Sequence, residues 1–361
     1  MEQAQSLEAA LIEPFPLAAD HGPRLRDRFG RCITDLRLSV TERCNYRCVY
    51  CRTGEESFDS AELSIAEYES IVRLMVSLGV EKVRLTGGEP LLRAGLLDLI
   101  RRLSSLRTAY GPDDLPTATG APLDLAITTN GHLLASMAHD LKKAGLSRIT
   151  VSMDAVDPAA FERITRVPRA YQHVVDGIHA AQDAGLSPVK VNCVLLRGFN
   201  DNQIEGFAEF ARREGVILRF IEFMPLEEGR IWSPETVVHE AEILERISRV
   251  KQWIELPPNA LSETARRYGF VDGVGEFGVI APVTRPFCGH CSRIRVTSDG
   301  KLRTCLFSQI DHDLFGRIRR GECNASVRAY IRGVVDSKEQ RHHIGEAGFL
   351  KPSRSMVHIG G

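Results

Sequence analysis

Six of the nine cysteines in this 361-residue chain fall into two triplets. The first is Cys44-x3-Cys48-x2-Cys51 in CNYRCVYC, and the second is Cys288-x2-Cys291-x13-Cys305 in FCGHCSRIRVTSDGKLRTC. Clustered, reduced thiolates suit soft metals, chiefly zinc or an iron–sulfur cluster. Cx3Cx2C fits a loop wrapped around a compact object better than one helix face. A structural zinc is closed by four ligands, and no fourth Cys or His lies near the first triplet. Three thiolates on a [4Fe–4S] cluster would leave one iron open to a small molecule. The second triplet, taken alone, reads as half a zinc ribbon with His290 or Cys323 as fourth ligand. Cys32, Cys193 and Cys323 are otherwise expected to be small buried hydrophobes.

The second chemical signal is cationic. Arg37, Arg84, Lys190 and Arg219 each stand between apolar neighbours in a run that reads as a strand. A charge inside a sheet core needs a partner or a ligand, so four on converging strands predict the walls of an anion site. Arg293 and Arg295 alternate just after Cys291, which puts both guanidinium groups on one strand face. Such a pair of forks suits a polyphosphate, although a solvated strand edge is the plainer alternative. No P-loop or Ser-His-Asp arrangement offers a competing chemistry.

Six βα repeats must position these groups. Strands are predicted at 32–40, 81–86, 123–128, 147–153, 188–196 and 216–224, with helical stretches between them that end in Gly, as a left-handed C-cap requires. This order implies a parallel sheet with right-handed crossovers, open or partly closed as a barrel, with ligands at the strands' C-terminal ends. Residues 107–122 are expected to be a surface loop. The net charge of -1 supplies no overall field for nucleic acid, and the apolar runs are too short to span a membrane. MEQAQSLEAALIEPFPLAAD lacks the layout of a secretory signal, so a cytoplasmic location is expected.

CNYRCVYC, with Tyr50 before its last cysteine, and GGEP at 87–90 resemble the signature of the radical S-adenosylmethionine (SAM) enzymes. The resemblance implies a [4Fe–4S] cluster on Cys44, Cys48 and Cys51, with SAM on its open iron as the source of a 5′-deoxyadenosyl radical. From about residue 27 to 361 the chain is similar to the GTP 3′,8-cyclases of molybdenum-cofactor biosynthesis, through VRLTGGEPLLR, ITTNG, VSMDA, VKVNCVLLRGFND, LRFIEFMP, FCGHCSRIRVTSDGKLRTCLF and the terminal IGG. That likeness implies an N-terminal extension (1–29), a partial (β/α)6 TIM-like barrel (30–224) and a smaller C-terminal region (225–361) closing the barrel. It implies a second [4Fe–4S] cluster on Cys288, Cys291 and Cys305, holding the purine base of GTP.

Carried over position by position, Tyr50, Gly88, Ser152 and Met224 match SAM contacts. Arg37, Arg84, Thr128, Lys190, Arg293 and Arg295 match GTP contacts; without the family, the hydroxyls of Thr128 and Ser152 read as groups that satisfy backbone. Arg219 and a tail of Gly360 and Gly361 entering the active site are the expected catalytic elements. The implied partners are GTP, a flavodoxin- or ferredoxin-type electron donor and the next enzyme of the pathway, with room for a homodimer and no nucleic acid or membrane. Two rivals are a peptide-modifying radical SAM maturase with an auxiliary cluster and a non-catalytic zinc or iron–sulfur protein.

Overall fold

The apolar runs become strands, trimmed by a few residues at their ends: β1 (Asp35–Ser39), β2 (Lys82–Thr86), β3 (Asp124–Thr129), β4 (Arg148–Ser152), β5 (Lys190–Leu195) and β6 (Ile217–Glu222) in a computed structural model. The structure describes residues 22–51, 62–111, 114–227 and 231–360. Most of the 1–29 extension and Gly361 lie outside the described residues. The six strands are parallel and stand in sequence order. Helices α1 (Ile65–Ser77), α2 (Leu96–Ser104), α3 (Leu134–Lys143), α4 (Pro158–Thr165), α5 (Ala170–Asp183) and α6 (Ile204–Glu214) connect them.

Local chemistry sets the helix ends. Ser64 and Glu67 form a reciprocal capping box at the start of α1, an arrangement worth about 1 kcal/mol. Gly79, Gly145, Gly185 and Gly215 follow their helices at positive φ, as predicted. α4 was not legible as a helix. It is short, and its start is fixed by Asp157, which accepts from the Ala160 N–H, and by Pro158 in the first turn.

Alternation along each strand separates core from site. Leu36 and Leu38 are fully buried in the apolar layer shared with the helices, whereas Arg37 between them faces the barrel interior. The region after residue 224 continues the same sheet at both edges. β9 (Glu276–Ile280) lies parallel beside β6, and β10 (Arg293–Val296) parallel beside β1. Antiparallel β7 (Trp253–Leu256) and β8 (Arg266–Phe270) extend one edge, and β11 (Lys301–Arg303) and β12 (His312–Asp313) the other, giving twelve strands in all. The architecture is α/β, a partial TIM-like barrel. α7 (Glu240–Val250), α8 (Leu314–Arg319), α9 (Asn324–Asp336) and α10 (Met356–Ile359) complete it.

One expectation is refined and another needs correction. The 107–122 segment folds back on itself through bridges Arg107–Pro122 and Tyr110–Pro116 and buries Thr108, Ala109 and Tyr110; the Tyr110 hydroxyl donates to the Gly22 carbonyl at 2.9 Å. Of the three isolated cysteines only Cys193 is buried. Cys32 is half-buried, and Cys323 is exposed because it stands at the N-cap of α9, outside the core.

Candidate active site

The βα loops at the strands' C-terminal ends enclose a cavity of 320 Å³, within the range of small-molecule sites. All six triplet cysteines line it. All nine cysteines are free thiols. His290 and Cys323, the candidate fourth ligands, are both absent from its wall. Among the described residues no three His, Cys, Asp or Glu side chains are placed to hold one metal ion.

The first triplet sits on the loop after β1. Backbone bonds from Arg47 and Val49 to the carbonyls of Thr165 and Ile164 tie that loop to the end of α4, at 3.1 and 3.0 Å. The Tyr46 N–H approaches the Cys44 sulfur at 3.4 Å, and Asn130 Nδ2 lies 3.9 Å from it. GGEP packs directly on the loop: the Gly88 and Glu89 N–H groups donate to the Thr41 and Arg43 carbonyls at 2.8 and 2.7 Å. A Cβ on Gly87 would fall 2.3 Å from the Thr41 oxygen, and one on Gly88 2.4 Å from the Arg43 oxygen. The glycine pair is thus required by the cysteine loop itself, a demand additional to close approach of a ligand. Glu89 is buried, accepts from Thr129 Oγ1, Asn130 N and Leu91 N, and is pushed up to about 7 by burial.

Tyr50 donates to Asp154 at 2.7 Å. Burial pushes Asp154 up to about 6 against the pull of this bond and of the Val194 N–H. Burial, reinforced by Asp154 and the neighbouring cysteines, drives the Cys48 thiol well above its ordinary value. The second triplet sits in the opposite field. Burial alone would raise Cys291, but Arg293 and Lys338 bring it down to about 6. Arg293 Nη2 reaches the Cys291 sulfur at 3.4 Å, and its guanidinium lies 4.8 Å from the centre of the Phe287 ring.

Five arginines, Arg37, Arg84, Arg219, Arg293 and Arg295, complete the lining. Register explains their convergence: Arg37 pairs with Arg295 on β10 and with Arg84 on β2, so three guanidinium groups share one row across adjacent strands. Like charges in directly opposed positions repel. Burial, with mutual repulsion added, lowers Arg37 and Arg219 to about 10 and Arg295 to about 9, and lowers Arg84 strongly. Arginine keeps its proton in proteins at neutral pH, so the row is a cationic one. The partners of Arg84 and Arg219 are neutral: Arg84 donates to Thr128 and Thr150 hydroxyls at 3.3 and 3.1 Å, and Arg219 to Asn192 Oδ1 at 2.8 Å. Arg37 Nε is buried with no partner among the described residues. The C-terminal tail also enters the cavity region. Arg295 Nη1 donates to the carbonyl of Gly360, whose φ of +74° and position 2.4 Å (as a notional Cβ) from Thr86 Oγ1 admit no side chain.

Tyr50, Gly88, Thr128, Ser152 and Met224 line the same cavity. Lys190 does not. It starts β5, half-buried at the N-terminal end of the face that Asn192 and Val194 present to the cavity, where burial and the charges of Arg219 and Arg148 lower it to about 8. Sequence reasoning missed Asn130, Asp154, Asn192, Lys338 and His342, all in the lining. Only Asp154, at the end of VSMDA, carried a signal, as an acid just beyond an apolar strand.

Residues 38–211 match the Radical SAM superfamily, and residues 216–344 match Molybdenum Cofactor Synthesis C. A curated GTP 3′,8-cyclase of Xanthomonas axonopodis pv. citri is 46% identical over 304 residues, 82% of this chain and 87% of its own. Those of Acidothermus cellulolyticus and Peptoclostridium acidaminophilum are 44% and 37% identical, over 86% and 95% of this chain and 84% and 100% of theirs. Among solved structures, Streptococcus suis SuiB bound to S-adenosylmethionine shares the fold at a TM-score of 0.57 and 14% identity, over 83% of this chain and 68% of that one. With identity of this extent running through both halves, the chain belongs to the GTP 3′,8-cyclase family within the radical SAM superfamily.

Proposed function

We propose that this protein is a radical SAM GTP 3′,8-cyclase, converting GTP to 3′,8-cyclo-7,8-dihydro-GTP at the first step of molybdenum-cofactor biosynthesis. The observation that carries the reading is one cavity with two cysteine trios and five arginines that have no carboxylate partner among the described residues. Cys44, Cys48 and Cys51 would hold one [4Fe–4S] cluster, and Cys288, Cys291 and Cys305 another. When bound, these groups and SAM supply a deoxyadenosyl radical that takes the 3′ hydrogen of GTP, and an open iron for the purine base.

The chain's own residues bind, orient and exclude. Arg37, Arg84, Arg293 and Arg295, assisted by Thr128, fix the triphosphate, so that the ribose is held facing the first trio. Lys190 contributes through its field from beyond the lining, at the start of β5. Arg219, anchored on Asn192 and Thr150, steadies the substrate at the far side of the barrel. Tyr50, Gly88, Ser152 and Met224 border SAM. Gly360 sits between Ser39 of β1 and Thr86 of β2, where a larger residue would collide with Thr86, and the Gly360–Gly361 tail is assigned to the active site on family likeness. A polycationic wall favours a nucleotide over the peptide of a maturase. The chemistry needs a one-electron donor of flavodoxin or ferredoxin type, and a cytoplasmic setting, which keeps thiols reduced. No helix among the described residues is long and apolar enough to cross a membrane. A homodimer is the assembly we would look for first.

The test is anaerobic reconstitution with iron and sulfide, then incubation with SAM, dithionite and GTP. Mass spectrometry should show deoxyadenosine and a cyclised nucleotide of unchanged triphosphate content. Zinc in place of iron, or deoxyadenosine formed only when a peptide is supplied, would end the proposal.

A further inference from the structure

The second trio is unusually rich in donors. The His342 backbone N–H donates to the Cys288 thiol, the Arg293 backbone N–H and Nη2 to Cys291, and the Phe307 backbone N–H to Cys305. The rings of His342 and Phe307 pack together at 5.3 Å and 55°. His342 Nδ1 accepts from the Ile344 N–H at 3.2 Å. The ring proton therefore belongs on Nε2. That nitrogen is shut off from solvent, has no partner among the described residues, and belongs to a ring that lines the cavity with all three thiols. A buried N–H without an acceptor costs its full desolvation, so the site is built for an acceptor that occupies the chamber.

We propose that His342 is a positioning residue whose Nε2–H donates a hydrogen bond to sulfur, thiolate or sulfide, of the cluster held by Cys288, Cys291 and Cys305. This rests on the cluster assignment made above. A donor to cluster sulfur withdraws negative charge and favours the reduced state, so it raises the reduction potential. The first trio lies beside Asp154, with the Tyr46 N–H and Asn130 Nδ2 near the Cys44 sulfur. His342 thereby helps to set the two clusters apart in potential although both have three thiolates.

The test uses the full chain with Cys44→Ala, Cys48→Ala and Cys51→Ala, so that only the second cluster is present, and no GTP. Redox titration followed by electron paramagnetic resonance compares native His342 with His342→Leu and His342→Gln, the last keeping an N–H near the Nε2 position. The leucine variant should retain its iron but titrate at a more negative potential, and glutamine should restore most of the shift. Unchanged potential in an iron-loaded leucine variant overturns the proposal, and would also be the result if the N–H served only the purine base. Should leucine prevent loading, pulsed resonance on the native chain with 15N-histidine decides. Coupling to a ring nitrogen that is lost in the glutamine variant supports the bond, and its absence refutes it. A chain that takes up no iron with His342 intact refutes instead the cluster assignment beneath it.

Discussion

At the scale of single residues, the site is defined by charges left without counter-charges. Arg37 holds the middle of the row formed with Arg295 and Arg84, and its Nε has no partner among the described residues. Arg37→Ala should weaken GTP binding by about 1.5–3 kcal/mol, the usual worth of a charged hydrogen bond, or roughly 10- to 150-fold in Kd. Equilibrium dialysis measures this, and SAM cleavage without GTP should be nearly unchanged. Equal loss of both activities contradicts a role confined to the nucleotide. Gly360→Ala makes a complementary case. The added methyl meets Thr86 Oγ1 at 2.4 Å in a backbone with φ +74°, so the tail cannot seat. Cyclisation should fall on the order of a hundredfold, as displacement of a positioned group does, while iron content and GTP affinity stay within about twofold of the parent.

At the scale of elements, the six βα units were legible because each strand is a dense apolar run bounded by Gly or polar residues. The charges on β1, β2 and β6 were legible as site residues for the converse reason, since an arginine between leucines has no stable place without an anion. What was not legible depended on contacts distant in sequence. β10 reads as a charged four-residue strand, and only pairing with β1 reveals that Arg295 opposes Arg37. Lys190 shares the strand pattern and face of the arginines yet lies outside the lining, because a register position fixes which face a side chain takes but not its depth along the barrel. Asn130 and His342 belong to residue types common in any loop, and nothing in their spacing marked them. The GGEP turn shows the same dependence. Its glycines are demanded by the Thr41 and Arg43 carbonyls of the cysteine loop. Gly87→Ala, at φ +139°, should therefore push that loop away and cost the first cluster while leaving the second. Iron and sulfide per chain should fall by about half, and SAM cleavage should vanish. Full iron content in the alanine variant would show that the two loops are independent.

At the scale of the molecule, a net charge of -1 conceals a strongly positive interior. The five lining arginines repel one another, and the described carboxylates pair elsewhere, mostly at the surface, as in Arg101–Asp98 and Arg249–Glu245. The empty barrel must therefore be less stable than the same barrel around a polyanion. An anion that binds only the folded state at 100 times its Kd adds about 2.7 kcal/mol, which at this size is a rise of several degrees in Tm. Inorganic tripolyphosphate should produce most of that rise in the iron-free chain, and guanosine almost none, because without the second cluster the base has lost its anchor while the arginine row remains. Salt distinguishes this origin from tighter packing. Raising ionic strength from about 0.05 to 0.5 M screens the repulsion, so the Tm of the empty chain should climb and the gap to the tripolyphosphate complex should shrink. If guanosine stabilises the iron-free chain as well as tripolyphosphate does, or if the gap is indifferent to salt, the arginines are not the anion's seat, and the barrel recognises its substrate by the base alone.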